Sequence, residues 1–238
     1  MRKFTVPFAL ALSVLSGAAN ADALGFFVGG GVWDYDSTGT FGSTGVGDSV
    51  IDVESDLGFG GQQDAYMWAA FEHFVPIIPN IRVEAATVGD AGSVNVQVFE
   101  GVTVNGTASV NLDTVDFILY YRLLDNWVNL DLGLNIRQLD GDFVLDSQTI
   151  SISETVPMLY LAAQFDLPFS GFSLGGDINI IEFDGSKYQD VRLRAMYEIG
   201  VIGFEAGLKT TKIELDDVGG VNSNLEFSGL IVGAFLHF

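Results

Sequence analysis

Cysteine is absent from this chain of 238 residues, which excludes disulfides, thiol nucleophiles and sulfur-ligated metals. Basic residues are scarce: 10 Lys and Arg stand against 31 Asp and Glu, a formal net charge of −21. Phosphate backbones need basic surface, so nucleic acid is excluded as a partner. Histidine occurs only twice, as His73 and His237, leaving little material for imidazole-based catalysis. The 5 prolines are too few for a Pro-rich linker architecture. Beyond residue 21 no uninterrupted apolar run approaches the roughly 20 residues that a spanning helix needs.

The first twenty-one residues read as a cleavable secretory signal. Arg2 and Lys3 form its basic start, Phe4 to Leu15 its apolar core, and Ala19-Asn20-Ala21 the small-x-small cleavage pattern. The apolar core is too short for a membrane anchor, and the mature chain is expected to begin at Asp22. What remains is acidic, yet 48% of the whole sequence is hydrophobic. Strict alternation reconciles the two, because a strand with apolar side chains on one face hides them from any search for continuous runs. The 29 glycines and the many aromatic and β-branched residues likewise favour strands and turns.

Ten alternating segments are expected: Leu24 to Tyr35, Gln63 to His73, Asn80 to Phe99, Thr107 to Leu123, Trp127 to Leu139, Ser153 to Leu167, Phe172 to Phe183, Tyr188 to Ile199, Ile202 to Leu215 and Leu225 to Phe238. Each meets the 9 to 11 or so residues of a tilted membrane strand, and an even number returns both ends to one side. The fold class is therefore all-β, an antiparallel transmembrane β-barrel of ten strands. Eight is the alternative, if two weak segments lie outside the barrel. The short connections 74–79, 124–126, 168–171 and 200–201 belong on the periplasmic side, and the longer, Gly- and Asp-rich ones outside. The first long connection is expected to hold a helical turn around Asp52 to Leu57. The final segment ends on Phe238, with Leu236, Ala234, Val232 and Leu230 on the same face. It resembles the C-terminal strand of bacterial outer-membrane barrels, which implies that Phe238 is part of the signal read by the barrel assembly machinery.

Period two also sorts the charges. Val128, Leu130, Leu132, Leu134 and Ile136 share one face of their strand, with Asp131 and Arg137 on the other. Carried round the barrel, the rule places Glu72, Arg82, Glu84, Asp116, Arg122, Asp131, Arg137, Asp166, Asp177, Arg192, Arg194, Glu198, Glu205 and Lys209 in the lumen. Among the basic residues of the mature chain only Lys187 and Lys212 fall elsewhere. Isolated charges in a narrow barrel are costly, so these side chains are expected to pair in layers. The layers either fill the interior as structure or line a narrow polar conduit.

Both histidines map to the periplasmic end, away from the outer loops where an outer-membrane hydrolase would work, so no catalytic residue and no cofactor is implied. A His73–His237 metal site is a weak possibility that the sequence does not favour. Gly29-Gly30-Gly31 is no phosphate loop, since neither a helix nor a suitably spaced Lys follows it; strong strand curvature or close side-chain approach is the better reading. Asp140-Gly141-Asp142 and Asp216-Asp217 offer oxygen ligands to divalent cations but lack the spacing of a calcium loop. Outer-membrane lipid and lipopolysaccharide are the expected surroundings.

Ser55-Asp56-Leu57-Gly58-Phe59 and the stretch Phe71-Glu72-His73-Phe74-Val75-Pro76-Ile77-Ile78-Pro79-Asn80-Ile81-Arg82, with the export signal and the aromatic end, resemble a family of proteobacterial outer-membrane β-barrels found in species that carry the GlyGly-CTERM sorting system. Phe74 stands where that family's pattern has Pro. The resemblance implies an outer-membrane protein with no assigned activity. Three functions follow as expectations: a structural or surface-interacting barrel, a narrow channel for small hydrophobic or polar solutes, and, weakened by the histidine positions, a hydrolase.

Overall fold

Alternation over long stretches with few breakers yields strands, and in the computed structural model they dominate the chain. Described are residues 24–45, 49–99, 102–146, 148–218 and 221–238; the segment expected to be a signal peptide and the connection expected at Glu100-Gly101 lie outside them. The strands are β1 (Leu24–Ser43), β2 (Ile51–Asp52), β3 (Gly61–His73), β4 (Asn80–Phe99), β5 (Val102–Asp125), β6 (Val128–Leu145), β7 (Gln148–Asp166), β8 (Phe172–Phe183), β9 (Ser186–Ile199), β10 (Ile202–Val218) and β11 (Val221–His237). All but the two-residue β2 are barrel staves, so the count is ten rather than eight. Each stave pairs antiparallel with its sequence neighbours, and β11 closes on β1 from Phe27↔His237 to Ser43↔Val221. Phe238 exchanges backbone hydrogen bonds with Phe26 at 3.0 and 2.9 Å, and their rings stack.

Closure demands close approach at the β1–β11 seam. A Cβ on Gly31 would lie 2.2 Å from the Val232 carbonyl oxygen, so this glycine admits the neighbouring backbone, while a Cβ on Gly29 would meet the Phe235 and Trp68 side chains at 2.8 Å.

The outward face changes chemistry at one level. Val32 gives way to Asp34 on β1, Ala65 to Gln63 on β3, Ala85 to Thr87 on β4, Val115 to Asp113 on β5 and Ile136 to Gln138 on β6. On the other staves Pro157 gives way to Thr155, Ile180 to Glu182, Val191 to Gln189, Leu208 to Thr210 and Leu230 to Ser228. Toward the chain ends lies an apolar belt including Met67, Phe117, Leu134, Leu193 and Val232, all exposed. Such a belt is stable only against lipid. On the far side the faces exchange roles: polar side chains point out, while Val88, Val110, Leu112, Leu139, Leu145 and Phe227 are buried inside. The barrel is a membrane protein below this level and resembles a water-soluble barrel above it.

This exchange corrects the expected outer loops. Asp140 to Ile152 and Asp216 to Asn224 are mostly continued strand, the β6–β7 ladder reaching Leu145↔Gln148 and the β10–β11 ladder Val218↔Val221. Only the β1–β3 connection is long. It folds inward and buries Ile51, Val53, Leu57 and Phe59 in the apolar interior. Hydrogen bonds from Asp56 N–H to the Asp52 carbonyl and from Gly58 N–H to the Glu54 carbonyl, both 3.0 Å, form the expected helical turn there. The connection sits where the wall is incomplete, since β3 and β4 pair only over Tyr66–Phe71 and Ala86–Ile81. Ser93 N–H donates to the Leu57 carbonyl (2.7 Å) and Gly60 N–H to Asp90 (3.2 Å), filling the gap.

Candidate functional site: the barrel lumen

Within the belt, inward positions carry the charges, and the strand register sets them in layers. In the middle layer Arg192 reaches two carboxylates. Its Nη1 and Nη2 donate to Glu84, each at 2.9 Å, and its Nε and Nη2 to Asp177, each at 3.1 Å. Arg82 donates to Glu84 (2.9 Å) and lies over the Trp68 ring at 4.4 Å. Arg194 bridges Asp177 and Glu205 at 3.1 and 3.0 Å, and Glu205 also accepts from Tyr66 Oη (2.8 Å) and Trp68 Nε1 (3.3 Å). Three guanidinium groups thus meet three carboxylates that have almost no contact with water. Pairing of this density answers the desolvation cost of each charge.

Toward the outer side, Arg137 grips Asp116 through Nε (2.7 Å) and Nη2 (2.6 Å), pairs with Asp190 through Nη1, and lies over Tyr188. Asn135, fully buried, donates to Asp116 (3.0 Å) and Asn179 (3.1 Å); Thr211 donates to Asp190. Lys209 lies between these two layers, its ammonium 4.4 Å from the centre of the Trp33 ring. Just above the belt, the Tyr35 hydroxyl donates to Asp64 (2.6 Å) and accepts from Gly89 N–H (2.8 Å). Burial first, and the Asp64 carboxylate second, push the Tyr35 phenol well above its ordinary pKa, so it stays a neutral donor.

The periplasmic layer is looser. Arg122 donates to Glu72 (2.6 and 2.8 Å) and to Asp131 (3.0 Å), and Tyr120 Oη donates to Glu72 (2.7 Å). Asp166 accepts from the Asn129 and Gln164 amides at 2.8 and 2.7 Å. His237 Nδ1 is 3.1 Å from Glu198, with the imidazole stacked on Phe27. Within this layer a cavity of about 550 Å³ runs from the short turns up to the middle layer, walled by side chains that include Phe27, Trp68, Phe235, Tyr160, Arg122 and Asp166.

All fourteen charged positions assigned to the lumen by parity take part in or border these layers. Asn135 lies inward beside Asp131 and Arg137, where parity places it. Asp190 was missed, although it shares a face with Arg192 and Arg194, and so were Tyr66 and Asn179. Parity could have found each one. Of the basic residues placed elsewhere, Lys212 pairs with Glu214 (2.8 Å) on the outer wall. His73 contacts the Pro79 carbonyl while His237 meets Glu198, so the two imidazoles are engaged separately. Asp140 and Asp142 accept hydrogen bonds from Ser153 and Ser151 across the β6–β7 ladder. Among the described residues no group of three or more His, Cys, Asp or Glu side chains is placed to hold a metal ion.

No protein-family model matches the chain, and neither does any curated protein sequence. Solved structures do. The outer-membrane protease OmpT of Escherichia coli aligns over 91% of this chain and 96% of its own, with a TM-score of 0.52 at 12% identity. An outer-membrane channel of Pseudomonas putida F1 covers 93% of this chain and 100% of its own, with a TM-score of 0.44 at 10% identity. Ail, the attachment invasion locus protein of Yersinia pestis, covers 91% and 100%, with a TM-score of 0.38 at 12% identity. At such identities the likeness extends to the fold alone. With the closed barrel and its lipid-facing belt, it makes the chain a β-barrel protein of the Gram-negative outer membrane.

Proposed function

We propose that this protein is a non-conducting, non-enzymatic barrel that contributes to envelope structure and presents its polar outer extension to the exterior. The observation that carries this reading is the middle charge layer, where Arg192 alone joins Glu84 of β4 to Asp177 of β8 across the lumen. A second barrier lies above it, in the apolar interior sealed by Leu57 and Phe59. An ion crossing the barrel would have to break the first and dehydrate in the second. The segment from His73 to Asn80 supports membership of the outer-membrane barrels of species with the GlyGly-CTERM sorting system. In this reading residues 1–21 are removed on export, Phe238 serves the assembly machinery, and the outer acidic face meets lipopolysaccharide and its divalent cations.

Reconstitution into planar bilayers tests it. The protein is expected to give no single-channel steps, and a reproducible unitary conductance would establish the narrow-channel reading instead. Hydrolysis of ester or peptide substrates by the purified barrel would overturn the non-enzymatic part.

A further inference from the structure

The periplasmic cavity has a structural cause and an uncompensated charge. It exists because several inward positions at its level are small: Gly25, Ala70, Ala162, Ser173 and Gly175 stand where the layers above carry large side chains. A volume of about 550 Å³ is that of a small-molecule site. In the middle and outer layers, Arg82, Arg137, Arg192, Arg194 and Lys209 balance Glu84, Asp116, Asp177, Asp190 and Glu205, five against five. Around the cavity Glu72, Asp125, Asp131, Asp166 and Glu198 are set against Arg122, with the imidazoles of His73 and His237 also in its lining. Arg82 and Arg194 also reach it, but their charges are committed to the middle layer. Asp166 is held by amides only, with no basic side chain among the described residues within ion-pair distance. The Tyr160 hydroxyl, on a residue only 4% exposed, lines the inner end without a hydrogen-bond partner among the described residues. Across the barrel from Asp131 and Asp166, Phe27, Trp68 and Phe235 form an aromatic wall, with ring centroids 6.4 and 5.8 Å apart along the series.

From this geometry we infer that the vestibule is a binding site for an organic cation, an ammonium or guanidinium group on a flat apolar body, entering from the periplasm. The apolar body lies along the Phe27–Trp68–Phe235 wall beside the His237 and Arg82 groups stacked on it, the cationic head turns to Asp166, and Tyr160 supplies a hydrogen bond at the inner end. The site ends blind at the middle layer, so binding does not require transport, and the bilayer test reads a separate property.

Isothermal titration of the detergent-solubilised barrel with 2-phenylethylammonium, and with phenylacetate as its anionic counterpart, tests the inference. Saturable binding of the cation, weakened by salt, and none of the anion is expected. Asp166→Asn is expected to weaken binding about tenfold or more, the loss of one charge-assisted contact. Ala162→Phe fills the cavity and is expected to abolish binding. Both variants are first checked for the heat-dependent gel shift of a folded barrel, and Asp166→Asn, whose one carbonyl oxygen still accepts from an amide, serves if Ala162→Phe does not fold. Equal binding of both probes, no binding of the cation, or an unchanged affinity in Asp166→Asn would each overturn the proposal.

Discussion

Replacing Arg192 with Met tests whether the lumen is a packed, dry network. The guanidinium makes four hydrogen bonds to two carboxylates, with the Arg192, Glu84 and Asp177 side chains 6%, 7% and 3% exposed. Charge-assisted bonds contribute about 1.5–3 kcal/mol each, a gross loss of roughly 6–12 kcal/mol. The net loss is smaller, because Glu84 keeps Arg82 and Asp177 keeps Arg194. One carboxylate nevertheless remains in excess in a layer that was balanced. Breaking a buried pair in this way costs about 3–5 kcal/mol. Adding Glu84→Gln restores the balance of two guanidinium groups and two carboxylates, and should return about 2 kcal/mol as coupling. Equilibrium unfolding in detergent, followed by tryptophan fluorescence, measures both variants. A cost below about 1 kcal/mol for Arg192→Met, the range of solvent-exposed pairs, would refute the dry network, as would additivity of the two substitutions.

Other regions give further tests. Leu57→Ala empties a fully buried position of the inward-folded connection and should cost about 2–5 kcal/mol, seen as faster cleavage near residues 44–60 by protease added outside intact cells. Gly31→Val places side-chain atoms against the Val232 carbonyl and should prevent β1–β11 closure, abolishing the heat-dependent gel shift. Asp52 accepts hydrogen bonds from the Ser55 and Glu54 N–H groups at 2.8 and 3.1 Å, and these, Ser55 first, hold its pKa below the ordinary value. Its contribution to the turn is therefore complete above the unfolded pKa and lost as pH falls through the lowered folded one. Protease sensitivity of the connection should rise on acidification in the native protein, and should be higher and flatter with pH in Asp52→Asn.

Sequence alone located all ten staves, and Asn80–Phe99 and Phe172–Phe183 agree at both ends. The outer ends of the others fell short for one reason. Apolar residues mark the outward face only within the belt, and above it they move inside. Leu139, Phe143 and Leu145 still alternate with Asp140 and Asp142, but the Asp and Gly content of that stretch resembles a loop when water is taken to mean disorder. Asp190 was passed over similarly, since a carboxylate close to a strand end resembles solvent-facing decoration. Which charge meets which was not legible. Glu84 and Arg192 are 108 residues apart and lie on staves that share no ladder, so their meeting depends on barrel closure, strand tilt and side-chain length together. The vestibule was hidden for a related reason: Ala70, Ala162 and Gly175 leave space only once several staves are aligned.

The level where the outward face turns polar also fixes how deep the barrel sits. Sinking by one outward position on every stave would carry Asp34, Asp113, Glu182 and their counterparts into hydrocarbon, and rising by one would strip lipid from Val32, Val115 and Ile180. Neither shift changes a contact inside the protein, yet both oppose ten side chains at once. The wall thereby works as a waterline, holding the outer extension at a set height above the lipid and the vestibule mouth at the opposite interface.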